Sequence, residues 1–150
     1  MKCCGAFPVS AGNANFYRFV FIKKNVYICK CIDILALNIL KKIKADTEIV
    51  EVSGALEIPT AIKLMENEFD GFIAIGCVIR GETTHYEIVS TKSSRGLANL
   101  GLEKICIGNA ILTVENKTQA EERADPKIFD KGGEACIALL SIIKIRERSH

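Results

Sequence analysis

The sequence has no CxxC pair, no GxGxxG after its first apolar segment, no GxxxxGK(S/T) loop, and no apolar stretch near the roughly 18 to 20 residues that span a bilayer. A zinc site does not fit, dinucleotide and nucleoside-triphosphate binding are unsupported, and no segment is expected to span a membrane. Basic residues gather no further than Lys41-Lys42 with Lys44, a length that forms the solvated face of a helix. With a net charge of +2, no nucleic-acid partner is expected. No apolar h-region follows the early lysine in MKCCGAFPVSAGNANFYRFVFIKK, so no signal peptide is expected. Seven cysteines are an odd set, and Cys77, Cys106 and Cys136 each lie within apolar runs. They fit small hydrophobes in a reducing cytoplasm rather than a disulfide framework or a metal site.

What is present suits a single domain over residues 1–150, long enough to bury a core without staples. Residues 1–15 are rich in small and turn-forming types and read as a loose arm. YRFVFI at 17–22 reads as a strand, and apolar residues at helical spacing from Ile28 to Ala45 predict the first helix. TEIVEV at 47–52 is a short strand. Pro59, tolerated in a first turn, places a second helix from about Glu57. GFIAIGCVI at 71–79 is nearly continuously apolar, as a central strand covered on both faces would be. HYEIVSTKSSRGLANLGLE then predicts a helix, KICIGNAIL a strand, and TVENKTQAEERA a mostly polar helix. GGEACIALLSIIKIRE, apolar over most of its circumference, predicts a buried or interface helix. Strands alternating with helices imply an α/β fold in three layers around a parallel sheet.

In such a sheet ligands sit at the carboxyl ends of the strands, which directs attention to SGALEIP and RGETTHYE. Thr84 and Glu87 have capping-box spacing, which makes His85, the only internal histidine, the first residue of a helix. There the helix dipole works against a charged ring, and a neutral imidazole able to exchange a proton is expected. Arg80 and Gly81 bring a fixed positive charge and a flexible turn to the same pocket, with Glu82 as the alternative ion-pair partner of Arg80. Arg123, followed by Lys131-Gly132-Gly133 at a helix start, suits a phosphate group, unless the glycines merely make the turn.

Together GALEIPTAI, FDGFIAIGCVIRGETTHYEIVS, GNAILTVENKTQAEERA and DKGGEA, in that order and spacing, resemble the lumazine synthases of riboflavin biosynthesis from about Glu48 to Glu147. The resemblance implies a three-layer α/β/α sandwich with a central four-stranded parallel sheet, flavodoxin-like in layout. It implies a transferase that condenses 5-amino-6-(D-ribitylamino)uracil with 3,4-dihydroxy-2-butanone 4-phosphate, without metal or organic cofactor. It makes His85 the proton-transfer residue. Ala55, Leu56 and Glu57 match the segment beside the ribityl chain and pyrimidine, and Cys77, Val78 and Ile79 match the strand end that reads the pyrimidine edge. Glu82 and Thr83 occupy the turn that holds the ketone phosphate, Arg123 matches the phosphate-binding arginine, and Lys131 assists it. Asn109 falls where many members place a pyrimidine-contacting aromatic residue.

Two departures stand out. Val52-Ser53-Gly54-Ala55 replaces the family's usual Val-Pro-Gly-Ala, and KKNVYICK replaces the Arg-Phe-Asn or Arg-Phe-Tyr whose ring stacks on the pyrimidine. Tyr27 is the candidate for that ring. The second departure motivates an alternative function, a catalytically weak flavin- or lumazine-binding shell protein of the same fold. The family assembles as pentamers or multiples of pentamers with each site shared between neighbours, so a cytoplasmic homo-oligomer acting on small molecules is expected.

Overall fold

A computed structural model describes residues 17–24 and 27–149, apart from the side chains of 24, 27–31 and 33–35; the arm expected over 1–15 lies outside the described residues. Along the chain run β1 (Arg18–Lys24), α1 (Tyr27–Lys42), β2 (Asp46–Val52), α2 (Ile58–Leu64) and β3 (Gly71–Ile79). α3 (His85–Leu102), β4 (Ile107–Val114), α4 (Lys117–Ala124) and α5 (Lys131–Arg148) follow. The four strands form one parallel sheet in the order β2-β1-β3-β4. The expected α/β fold with a four-stranded parallel sheet is therefore present.

Side-chain alternation divides the core in two. Phe19 and Phe21 of β1, Ile73 and Ile75 of β3, and Ala110, Leu112 and Val114 of β4 pack with α1, α4 and α5 on one face. Val20, Ile22, Phe72, Ala74 and Val78 point the other way, against Ile58 and Ile62 of α2 and Leu97 and Leu100 of α3. β3 lies between β1 and β4 and is buried from Gly71 to Gly76, which is why its sequence is apolar without alternation. The edge strand β2 has no buried residue, consistent with its Glu48 and Glu51.

Two boundaries differ from expectation for the same reason. Helix α1 stops at Lys42, and β4 starts at Ile107 rather than near Lys104. Lys44 (φ 56°) and Lys104 (φ 70°) both adopt the left-handed conformation. In each case the following N–H reaches back to close the helix end, Ala45 to the Leu40 carbonyl at 3.1 Å and Ile105 to the Leu100 carbonyl at 3.2 Å. This Schellman closure usually uses glycine. Lysine hides the stop from a pattern-based reading. α5 buries Ala135, Cys136, Leu139 and Ile143 along one face and leaves Ile137, Ile142 and Ile145 exposed on the single chain.

Candidate active site

The connections put the site where the sheet changes direction. From β1 the chain moves outward to β2 through α1, whereas from β3 it moves to β4 through α3 on the opposite face. Such a switch leaves a crevice at the strands' carboxyl ends. A cleft of about 420 Å³ lies on the α2/α3 side of this end, formed by Ser53–Glu57 after β2, Cys77–Ile79 at the end of β3, and His85 and Val89 of α3.

The register explains why the end of β3 is open. Pairing with β1 stops at Lys23 opposite Ile75, whereas pairing with β4 continues to Ile79 opposite Val114. Among the described residues, the β1-facing edge of Gly76–Ile79 therefore runs past its ladder, leaving main-chain donors and acceptors for a planar polar ligand. Ala55 is buried and packs with the α2/α3 core, while Leu56 and Glu57 are exposed at the cleft. The Cys77 thiol is half-buried and pushed up by that burial, which disfavours it as a nucleophile. Burial likewise pushes Cys136 up to about 12 and raises Cys106, as expected of packing residues.

His85 is the first residue of α3 and is exposed. Its cap differs from the expected box. Thr84 enters with φ −67° and ψ 0°, already helical, and its hydroxyl makes no capping bond. A capping side chain needs an extended backbone at that position. The His85 N–H instead lies 3.4 Å from Thr83 Oγ1. Glu87 does not reach back to Thr84 but accepts a hydrogen bond from Arg80 Nη1. That bond holds the Glu87 carboxyl below its usual range. A depressed carboxyl keeps its pairing above the ordinary carboxylate range and loses it only as pH falls through the lowered value, so the contact is intact at neutral pH.

Arg80 itself is no free charge in the cleft. Its Nε donates to Glu115 at 2.6 Å, and its guanidinium carbon lies 4.1 Å from the centre of the Tyr86 ring. Glu82 is not among its described partners. Glu82 and Thr83 sit exposed on the turn leading into α3, beside His85 but outside the cleft lining.

The remaining expected residues lie elsewhere on the chain. Arg123 is half-buried in the last turn of α4, donates to the Gln119 carbonyl at 3.2 Å and packs 5.6 Å from the Phe129 ring centre. Lys131 pairs with Glu134 at 2.5 Å, and the α5 N-terminus is taken by Asp130, whose carboxylate accepts the Gly133 N–H at 3.0 Å. Gly132 and Gly133 are buried, so here the glycines serve close packing. Asn109 is exposed on β4, where its Oδ1 accepts the Ile111 N–H at 2.9 Å, and it lines a second cleft of about 360 Å³ with Ser90, Ser94 and Thr113. Tyr27 opens α1, and its side chain lies outside the description. One chain thus brings together Ala55, Leu56, Glu57, Cys77, Val78, Ile79 and His85, and leaves Asn109, Arg123 and Lys131 apart from them. The sequence reading missed Val89, although its i+4 spacing from His85 puts it on the same helix face. Among the described residues, no group of three His, Cys, Asp or Glu side chains could hold a metal ion.

The model of the 6,7-dimethyl-8-ribityllumazine synthase family matches residues 20–147, which spans β1 to α5. The chain belongs to that family. The 6,7-dimethyl-8-ribityllumazine synthase of Novosphingobium aromaticivorans is 53% identical over 111 residues, covering 73% of this chain and 80% of that protein. That of Erythrobacter litoralis is 55% identical over 105 residues, covering 69% and 75%, and that of Zymomonas mobilis 47% over 105 residues, covering 69% and 76%. The matched range contains every segment of the cleft and includes KKNVYICK at 23–30.

Proposed function

We propose that this chain condenses 5-amino-6-(D-ribitylamino)uracil with 3,4-dihydroxy-2-butanone 4-phosphate to 6,7-dimethyl-8-ribityllumazine, releasing phosphate and water. The observation that carries the reading is the placement of His85 in one cleft with the open backbone edge of Cys77–Ile79. The unpaired edge takes the pyrimidine, and the 55–57 segment, with its exposed Leu56 and Glu57, lies along the ribityl chain. The pyrimidine amine adds to the ketone carbonyl and loses water to form an imine, phosphate leaves, and a second condensation closes the ring. Each step moves a proton, and the exposed His85 ring is the side chain assigned to carry it. Glu82, Thr83, Arg123 and Lys131 hold the ketone phosphate, and Tyr27 and Asn109 complete the pyrimidine pocket. Incubation with both substrates should produce the lumazine's absorbance with one phosphate released per product. Absence of product at high enzyme concentration would refute the assignment.

A single chain keeps Arg123 and Lys131 on helices that cover the sheet face opposite the α2/α3 side. A phosphate site that uses them with His85 therefore draws on two copies, which supports a homo-oligomer, a pentamer or a multiple of pentamers, with shared sites. The free thiols Cys77, Cys106 and Cys136 suit a reducing compartment, and we place the activity in the cytoplasm. A binding-only protein of this fold is the less favoured reading, since the curated relatives compared are synthases by name.

Two results are expected. Arg123→Ala should raise KM for the ketone phosphate by about 10- to 100-fold, the loss of a charge-assisted hydrogen bond, with pyrimidine affinity unchanged. Equal effects on both substrates, measured in separate steady-state titrations, would remove Arg123 from this role. His85→Ala and Arg123→Ala chains refolded together should regain activity at about a quarter of their sites, those where an intact His85 meets a neighbour's intact Arg123. No recovery would mean that each chain builds its site alone.

A further inference from the structure

Arg80 meets three groups from two parts of the fold: Glu87 and the Tyr86 ring, both in the first turn of α3, and Glu115 in the link from β4 to α4. Its backbone is fixed as well, with the N–H donating to the Val114 carbonyl at 2.9 Å. From Glu115 the contacts continue without a gap. The Glu115 N–H donates to Gln119 Oε1 at 3.0 Å, the Gln119 N–H donates to the capping Asn116 at 2.9 Å, and the Gln119 carbonyl accepts from Arg123 at 3.2 Å. One guanidinium therefore touches the helix that begins with His85 and, through Gln119, the helix that ends near Arg123.

Both ion pairs are exposed, with the Arg80 side chain 39% accessible and its partners 52% and 55%. Pairs of that kind contribute little to stability. What arginine supplies here is geometry, because its planar fork meets two carboxylates in different directions while its face lies on an aromatic ring. Lysine could satisfy only part of that arrangement. We propose that Arg80 is a positioning residue, orienting His85 through Glu87 and Tyr86 and aligning Arg123 through Glu115 and Gln119. The inference rests on the condensation proposed above. With sites shared between copies, the same residue ties the proton-transfer side of one site to the phosphate side of the next.

The test splits the two arms by kinetics. Competent sites are counted by titration with 6,7-dimethyl-8-ribityllumazine, so that misfolded chains do not enter kcat. Glu87→Gln is expected to lower kcat per site about threefold to tenfold with KM for the ketone phosphate unchanged. Glu115→Gln should raise that KM by a similar factor and leave kcat alone. Arg80→Gln should do both, Arg80→Lys should restore neither fully, and melting temperatures should stay within roughly 2 °C of the parent. On a His85→Ala background, Arg80→Gln should lower kcat no further, because the group it orients is gone. Identical changes from Glu87→Gln and Glu115→Gln, or both parameters within twofold in Arg80→Gln, would overturn the proposal. If the parent chain makes no product, the functional reading fails, and amide exchange decides on Arg80. Arg80→Gln should then speed exchange in the first turns of α3 and α4 together, and an unchanged rate in either would overturn it.

Discussion

Replacing His85 with alanine is expected to lower kcat by about a hundredfold or more, the usual contribution of a positioned general acid and base. Pyrimidine binding should stay within about threefold, because in the proposed reaction the ring edge meets main-chain groups of Cys77–Ile79, which the substitution leaves in place. The effect should fall on proton transfer alone. His85 is exposed at the start of α3, its side chain fills no core position, and alanine is a good helix former, so the fold should be unaffected. A burst experiment at saturating substrates would show slow imine formation and phosphate elimination in place of a loss of competent sites. A variant retaining a third of the parent kcat would mean that solvent or another side chain carries the protons, and His85 would be left only a packing role beside Val89.

How much of this was legible in the sequence depends on how far apart the interacting residues lie. The unbroken apolar run of β3 and the turn residues around it were enough to place a central strand and the loop carrying His85, because burial on both faces writes itself into one short segment. The partners of Arg80 were not legible in the same way. Glu115 lies 35 residues downstream and comes within reach only because β4 pairs with β3 as far as Ile79 opposite Val114. The capping box failed for a local reason, since Thr84 has the right side chain but enters the helix with the wrong backbone angles. Arg123 and Lys131 were selected by type and spacing, yet in one chain each is engaged close by, with Gln119 and Glu134. If a second copy completes the site, as proposed above, such residues look unrelated to the cleft in a single chain.

The largest stability effect is expected at the contact between β4 and α5. A Cβ on Gly108 would sit 2.2 Å from the carbonyl oxygen of Ala135 and 3.2 Å from Leu139 Cβ. Neither strand nor helix can yield cheaply. Gly108 belongs to a strand paired with β3 through Ile73, and Ala135 is held in the first turns of a helix whose Leu139 and Ile143 are buried under the sheet. Gly108→Ala should therefore push α5 off β4 and cost about 3 kcal/mol or more, at the upper end of overpacking effects. Gly132→Ala should behave alike, its Cβ falling 2.1 Å from the Ile32 carbonyl oxygen of α1. Gly101 is the internal control. It lies in the last turn of α3 with open space where a Cβ would go and without a positive φ, so Gly101→Ala should stabilise by about 0.4 to 1 kcal/mol through the unfolded state. Urea unfolding at one fixed chain concentration would measure all three, since association adds to apparent stability. If Gly108→Ala unfolds at the parent midpoint, α5 does not lie against β4 as closely as this contact requires. The sheet face that carries Arg123 and Lys131 would then need a different arrangement.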